Sequence, residues 1–171
     1  MRSWDIDSAH PARSYAMLLI HLAVGCFVPF VPMQLLAVSA GIIVGFDSLL
    51  VGILRLSFTA SVSMLIHELV HACLLAWRNP DKRVFISMNW LRMTMHREAP
   101  LPVHQAFACA VLGPCSGAMA AMWLTGWYGP SFGWLVIMQQ MACLVPPCDD
   151  GMAVIRCIRS VIPRTGERDS G

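Results

Sequence analysis

The residue types best suited to chemistry are His67, Glu68 and His71, which form a His-Glu-x-x-His pattern within an apolar stretch. On a helix, this spacing puts both imidazoles on one face, where they can bind one zinc ion and leave the glutamate to act as a general base. Glu68 is the only formally charged residue between Arg55 and Arg78. Because ionisable groups at membrane depth are costly and mark function, the pattern predicts a metal site in a membrane helix.

The composition also favours an integral membrane protein. Of the 171 residues, 57% are hydrophobic and only 13% are charged, compared with roughly 25% charged in a soluble domain. The length suits one domain over residues 1–171. The net charge of +2 is too small and too dispersed for nucleic-acid binding, so we expect a lipid bilayer and no nucleic acid as partners. The first 14 residues lack a signal-peptide cleavage pattern, so we interpret them as a retained tail.

Stretches without charge predict the membrane helices. At roughly 20 residues per crossing, residues 15–77 provide either two long helices or three short ones. We favour two, at about 15–44 and 48–77, with the first kinked by Pro29 and Pro32.

The remaining chain predicts two further helices, separated from the first two by a charged segment. Apolar runs cover about 104–127 and 131–155, and the second is broken at Pro146-Pro147. Residues 78–102 are charged and show strand-like alternation, which predicts a short β-hairpin or an interfacial loop. The expected fold class is all-α, a polytopic transmembrane bundle of about four helices with a short β-like cytoplasmic loop.

The distribution of Lys and Arg predicts the orientation. The 78–102 loop and the tail after Arg156 are basic, whereas the turn at 128–131 is uncharged. The positive-inside rule therefore places the loop and the C-terminus in the cytoplasm. His71 then lies roughly 10 Å above the cytoplasmic end of its helix, at 1.5 Å per residue, and Asp150 lies at a similar depth.

A hydrolytic zinc site needs a third protein ligand and an open position. Trp77 occupies the place where a metzincin-type motif has its third histidine. The carboxylates at matching depth are Asp149 and Asp150. We predict Asp150 as the ligand because Gly151 permits the tight backbone that aims a carboxylate inward. Asp149 is interpreted as a supporting or substrate-facing carboxylate.

Three ordered motifs resemble those of the site-2 proteases, which are intramembrane zinc metalloproteases. The HELVH sequence at 67–71 is similar to the zinc-binding motif of that family. The sequence LGP at 112–114 is similar to the Gly-Pro motif that opens the next core helix, and the small residues at 113–118 also suit helix packing. The LVPPCDDG sequence at 144–151 resembles the segment that carries the third zinc ligand.

The resemblance covers about residues 48–160 and departs from the family at two positions. Cys143 stands where the family usually has asparagine, and Asp149 stands where it usually has leucine. These departures concern substrate positioning more than zinc binding.

The resemblance implies an enzyme that hydrolyses peptide bonds of transmembrane or membrane-adjacent protein substrates. It implies one zinc ion per chain bound by His67, His71 and Asp150, with Glu68 as the general base. Two other functions are consistent with the residues. One is a catalytically inactive metal-binding or scaffolding membrane protein of the same fold, and the other is a small transporter in which His67, Glu68 and His71 relay cations.

Overall fold

A computed structural model describes residues 2–4, 11–44, 47–77, 84–89, 92–97, 101–128 and 133–161. These residues are mainly helical and include one small sheet. The helices are α1 (Pro11–Phe27), α2 (Val31–Val44), α3 (Asp47–Trp77), α4 (Val103–Tyr128), α5 (Gly133–Ala142) and α6 (Asp149–Val161). The strands are β1 (Arg2–Trp4), β2 (Val84–Asn89) and β3 (Arg92–Arg97).

Two helices are long and apolar enough to cross a membrane. The apolar segments are Leu50–Leu75 in α3 and Val103–Trp127 in α4. A helix of 26 residues is about 39 Å long at 1.5 Å per residue, which exceeds the roughly 30 Å of a bilayer core. These segments agree with the spans predicted at 48–77 and 104–127.

The other two predicted spans are interrupted helices. Between α1 and α2 the backbone forms a 3-10 segment at Val28–Phe30, and its flanking residues keep right-handed helical angles. Pro29 lies in this segment, and because proline lacks an N–H it cannot continue regular α-helical bonding. The helix predicted at 131–155 is divided into α5 and α6 by a turn at 143–148 that contains Pro146-Pro147. Both breaks lie where the prolines predict them.

The β-hairpin predicted for 78–102 is present. Strands β2 and β3 pair antiparallel, from Val84 opposite Arg97 to Asn89 opposite Arg92. Strand β1 adds to the other edge of β2, which gives the order β1-β2-β3. The sequence did not predict β1, because three residues are too few to show an alternating pattern.

The helices pack around α4 and α3. Helix α3 packs mainly against α4, and α5 and α6 also pack on α4. The buried residues of α3 include four small polar ones, Ser57, Thr59, Ser61 and Ser63. Small residues allow two helix backbones to approach closely, and the Ser63 hydroxyl donates to the Gly117 carbonyl of α4 at 2.7 Å.

Candidate metal site

The site combines one face of α3 with the first turn of α6. His67 and His71 are one turn apart on α3, and their ring centroids are 4.8 Å apart. Asp150 lies in the first turn of α6. The structure therefore brings together the three side chains that the sequence predicts as ligands.

The distances between the ligand atoms suit a single small cation. Nε2 of His67 lies 3.1 Å from Oδ2 of Asp150, and Nε2 of His71 lies 3.5 Å from the same oxygen. All three ligand atoms lie within 4.8 Å of one another. In tetrahedral zinc sites with bonds of roughly 2.1 Å, ligand atoms are about 3.4 Å apart. This His-His-Asp group can hold a metal ion.

The outer nitrogen of each histidine has its own partner. Nδ1 of His67 lies 2.7 Å from Oε1 of Gln140, and Nδ1 of His71 lies 3.1 Å from Sγ of Cys109. An amide oxygen only accepts hydrogen bonds, so Nδ1 of His67 is the donor. In neutral His67 the lone pair is then on Nε2 and faces the Asp150 carboxylate. A lone pair and a carboxylate repel at 3.1 Å unless a cation or a second proton lies between them.

Glu68 completes the group without being one of the three convergent ligands. It is 8% exposed, while His67 is 2% and His71 is 9% exposed. It interacts electrostatically with both histidines and with Asp150. A buried carboxylate next to the ligands is suited to exchange a proton with a water on the ion.

Two glycines allow close approaches at the site, one to the ring of His71 and one to the backbone before α6. A Cβ on Gly113 of α4 would lie 2.2 Å from Nε2 of His71, so only glycine leaves that ring its space. A Cβ on Gly151 would lie 2.5 Å from the carbonyl carbon of Val145. Instead, the Gly151 N–H donates to the Cys143 carbonyl at 3.0 Å. Gly151 therefore permits the close backbone approach that its position after Asp150 predicts.

The Gly113-Pro114 pair lies at a different place in its helix from the family motif that it resembles. The pair lies inside α4, with Pro114 buried in the helix interior, and does not open a helix. Helix α4 begins ten positions earlier, at Val103. The physical reason is that the small residues around Pro114 pack against α3 and keep the segment helical despite the missing N–H.

The two candidate carboxylates differ in their surroundings. Asp150 is partly buried and belongs to the ligand group, whereas Asp149 is exposed. Cys143 is also partly buried, but it is not a member of that group. Within the described part of the chain, His67, His71 and Asp150 are the only such group that could hold a metal ion.

The sequence did not identify Gln140 and Cys109 as the partners of the two histidines. One signal pointed to Gln140, because Gly133, Val136 and Gln140 share the spacing of one helix face and are the buried residues of α5. Cys109 gave no signal, since a cysteine in an apolar helix is usually a small hydrophobic residue.

Comparison of the chain with known protein families, curated proteins and solved structures found no match.

Proposed function

We propose that the chain is an intramembrane zinc metalloprotease that hydrolyses peptide bonds of membrane-embedded or membrane-adjacent proteins. The observation that carries this proposal is the convergence of Asp150, on α6, with His67 and His71 of α3. Helix α3 also carries the buried Glu68 and is long enough to span a bilayer.

The donor set favours zinc as the metal. Two imidazole nitrogens and one carboxylate are ligands that zinc binds readily, and three protein ligands leave the fourth position open, as in hydrolytic sites. Bound zinc supplies the Lewis acidity that makes water nucleophilic at neutral pH and polarises a carbonyl. The convergence of both Nε2 atoms on one Asp150 oxygen supports a single ion per chain.

The residues of the chain supply orientation and proton transfer. Glu68 accepts the proton of the attacking water and then donates it to the leaving amine, so one carboxyl group serves as base and acid in turn. His67 and His71 fix the ion next to this carboxylate because they flank it on the same helix. Burial of the site keeps bulk water away from the reacting groups.

The surface of the helices supports a membrane setting. Large apolar side chains on the outer faces are exposed, and they include Leu36, Ile42, Ile43, Met119, Trp123, Trp127, Trp134 and Met138. Met119, Trp123 and Trp127 form a continuous exposed row along α4, and soluble monomers rarely expose large contiguous apolar surfaces. In the proposed multi-pass topology these faces contact lipid, and the basic 78–102 segment and C-terminus lie in the cytoplasm.

Glu68→Gln separates a protease from a metal-binding scaffold. The variant removes the base but leaves the three ligands, so we expect one zinc per chain in both proteins and cleavage only by the wild type. Zinc is measured by elemental analysis of purified protein. Cleavage is measured by labelling new N-termini in membrane proteins from cells that express either form.

The outcomes distinguish the three functions. New termini within or next to transmembrane segments, seen only with the wild type, support the protease. Identical sets of termini, with zinc bound in both proteins, refute it and favour the scaffold. Zinc flux into liposomes that contain the wild-type protein, without such termini, refutes it in favour of the transporter.

A further inference from the structure

We propose that Gln140 is a positioning residue that holds His67 in its metal-binding orientation. This inference rests on the metal site of the proposed function and assigns a role to a side chain outside it. Oε1 of Gln140 lies 2.7 Å from Nδ1 of His67, and the Gln140 side chain is 0% exposed.

The burial of Gln140 argues against a role in packing alone. Burying an amide is unfavourable unless its polar atoms are hydrogen bonded. Nε2 of Gln140 has no hydrogen-bond partner among the residues that the structure describes. The hydrogen bond that Oε1 accepts from Nδ1 of His67 is therefore the interaction that offsets the burial of the amide. The neighbours of Gln140 on the buried face of α5 are Gly133 and Val136, and an apolar side chain would suit this face better.

The fold leaves a specific gap for this contact. A Cβ on Gly117 of α4 would lie 2.7 Å from Oε1 of Gln140 and 3.0 Å from the Ser63 carbonyl oxygen. The amide of Gln140 therefore passes over a position of α4 that has no side chain. Three helices meet here, since Ser63 of α3 also donates to the Gly117 carbonyl at 2.7 Å. Because Gly117 has no side chain, the amide of Gln140 on α5 can reach His67 on α3.

The contact fixes both the proton and the ring plane of His67. Because Oε1 accepts a hydrogen bond, it keeps the proton on Nδ1 and leaves the lone pair on Nε2, which faces Asp150. Such partners orient the ligand and raise its basicity, and their loss typically weakens metal binding 10- to 100-fold. Nδ1 of His71 instead lies 3.1 Å from the sulfur of Cys109, and a thiol is a weak hydrogen-bonding group. The orientation of His67 is therefore the more tightly defined of the two.

Three variants test this role. Gln140→Met keeps the length of the side chain but removes the acceptor, whereas Gln140→Glu keeps an acceptor oxygen. Gln139→Met is the matched control, because it makes the same change one position earlier, on an exposed residue of α5. Zinc affinity is measured by competition with a chelator, and the ligand geometry is measured by the visible absorption spectrum of the cobalt-loaded protein.

We expect Gln140→Met to bind zinc roughly 10- to 100-fold more weakly and to alter the cobalt spectrum. Gln140→Glu should recover most of the affinity, and Gln139→Met should match the wild type. Wild-type affinity in Gln140→Met would overturn the inference. An equal loss in the Met and Glu variants would also overturn it, because only packing would then explain the effect.

The same titration separates this inference from the proposed function. A wild-type protein that binds no zinc refutes the metal site itself. A wild-type protein that binds zinc, with an affinity independent of position 140, refutes only the role of Gln140.

Discussion

Gly113→Ala tests whether the space for the His71 ring is essential to the site. A Cβ at position 113 would lie 2.2 Å from Nε2, and 2.8 Å from Cδ2 and Cε1, of His71. Ordinary contacts of a Cβ begin at 3.4 Å, so the ring must retreat by 3.4 − 2.2, or about 1.2 Å. Metal–ligand distances tolerate only about ±0.2 Å. The displacement exceeds this tolerance several times over, so we expect the zinc content to fall well below one ion per chain.

The fold is expected to survive this substitution, which makes the result interpretable. The atoms that the new methyl group meets are at the far end of the His71 side chain, and rotation of that side chain relieves the overlap. The same rotation takes Nε2 away from Asp150. Alanine also has a better helix propensity than glycine, by about 1 kcal/mol in a helix interior. Helix content by circular dichroism should therefore remain close to that of the wild type.

Gly126→Ala is the matched control for Gly113→Ala. It makes the same change on the same helix, α4, but a Cβ at position 126 meets nothing within 4 Å. We expect this variant to retain zinc and, under the proposed function, activity. Full zinc occupancy in Gly113→Ala would refute the reasoning, because the two rings and the carboxylate could not then have the geometry described above. If both variants lost helix content, a loss of zinc would reflect destabilisation of α4 and not the displacement of His71.

Three further substitutions test the contribution of α6. Asp150→Ala should abolish stoichiometric zinc binding, whereas Asp149→Ala should retain it, because Asp150 belongs to the group with His67 and His71 and Asp149 does not. Elemental analysis of both proteins decides between the two carboxylates. Gly151→Ala should lower the thermal stability as well as the zinc content. Its Cβ would meet backbone atoms of Val145 at 2.5 and 2.8 Å, which cannot move as a side chain can, and overpacking of this kind typically costs about 1–3 kcal/mol. A thermal midpoint equal to that of the wild type would contradict this prediction.

The candidate ligands could be predicted because each lies in a local pattern. His67 and His71 have the helical spacing that puts two imidazoles on one face. Asp150 follows two prolines that interrupt the helix and precedes a glycine that permits a close turn. These effects depend on residues only a few positions apart, so the sequence alone carries them. The hairpin of β2 and β3 was predicted for the same reason.

The partners of the ligands could not be predicted in the same way. Gln140 reaches His67 only because α3, α4 and α5 meet at Gly117, and no pattern within α5 encodes that meeting. The helical spacing of Gly133 and Val136 indicates that Gln140, and not the adjacent Gln139, lies on the buried face. It does not indicate what Gln140 contacts. Cys109 is similar, since its role depends on how α4 packs beside His71.

Helix α4 supplies no ligand, yet it determines the geometry of the site. Cys109 contacts His71, Gly113 leaves space for the same ring, and Gly117 leaves space for Gln140. These residues are four positions apart, so they form one stripe along the helix. The two glycines also have the spacing that brings membrane helices close together. Close packing of α3 and α4 and orientation of the candidate ligands thus depend on the same residues. At position 113 the atoms nearest to an added methyl group all belong to the His71 ring, so this substitution should affect metal binding before it affects the fold.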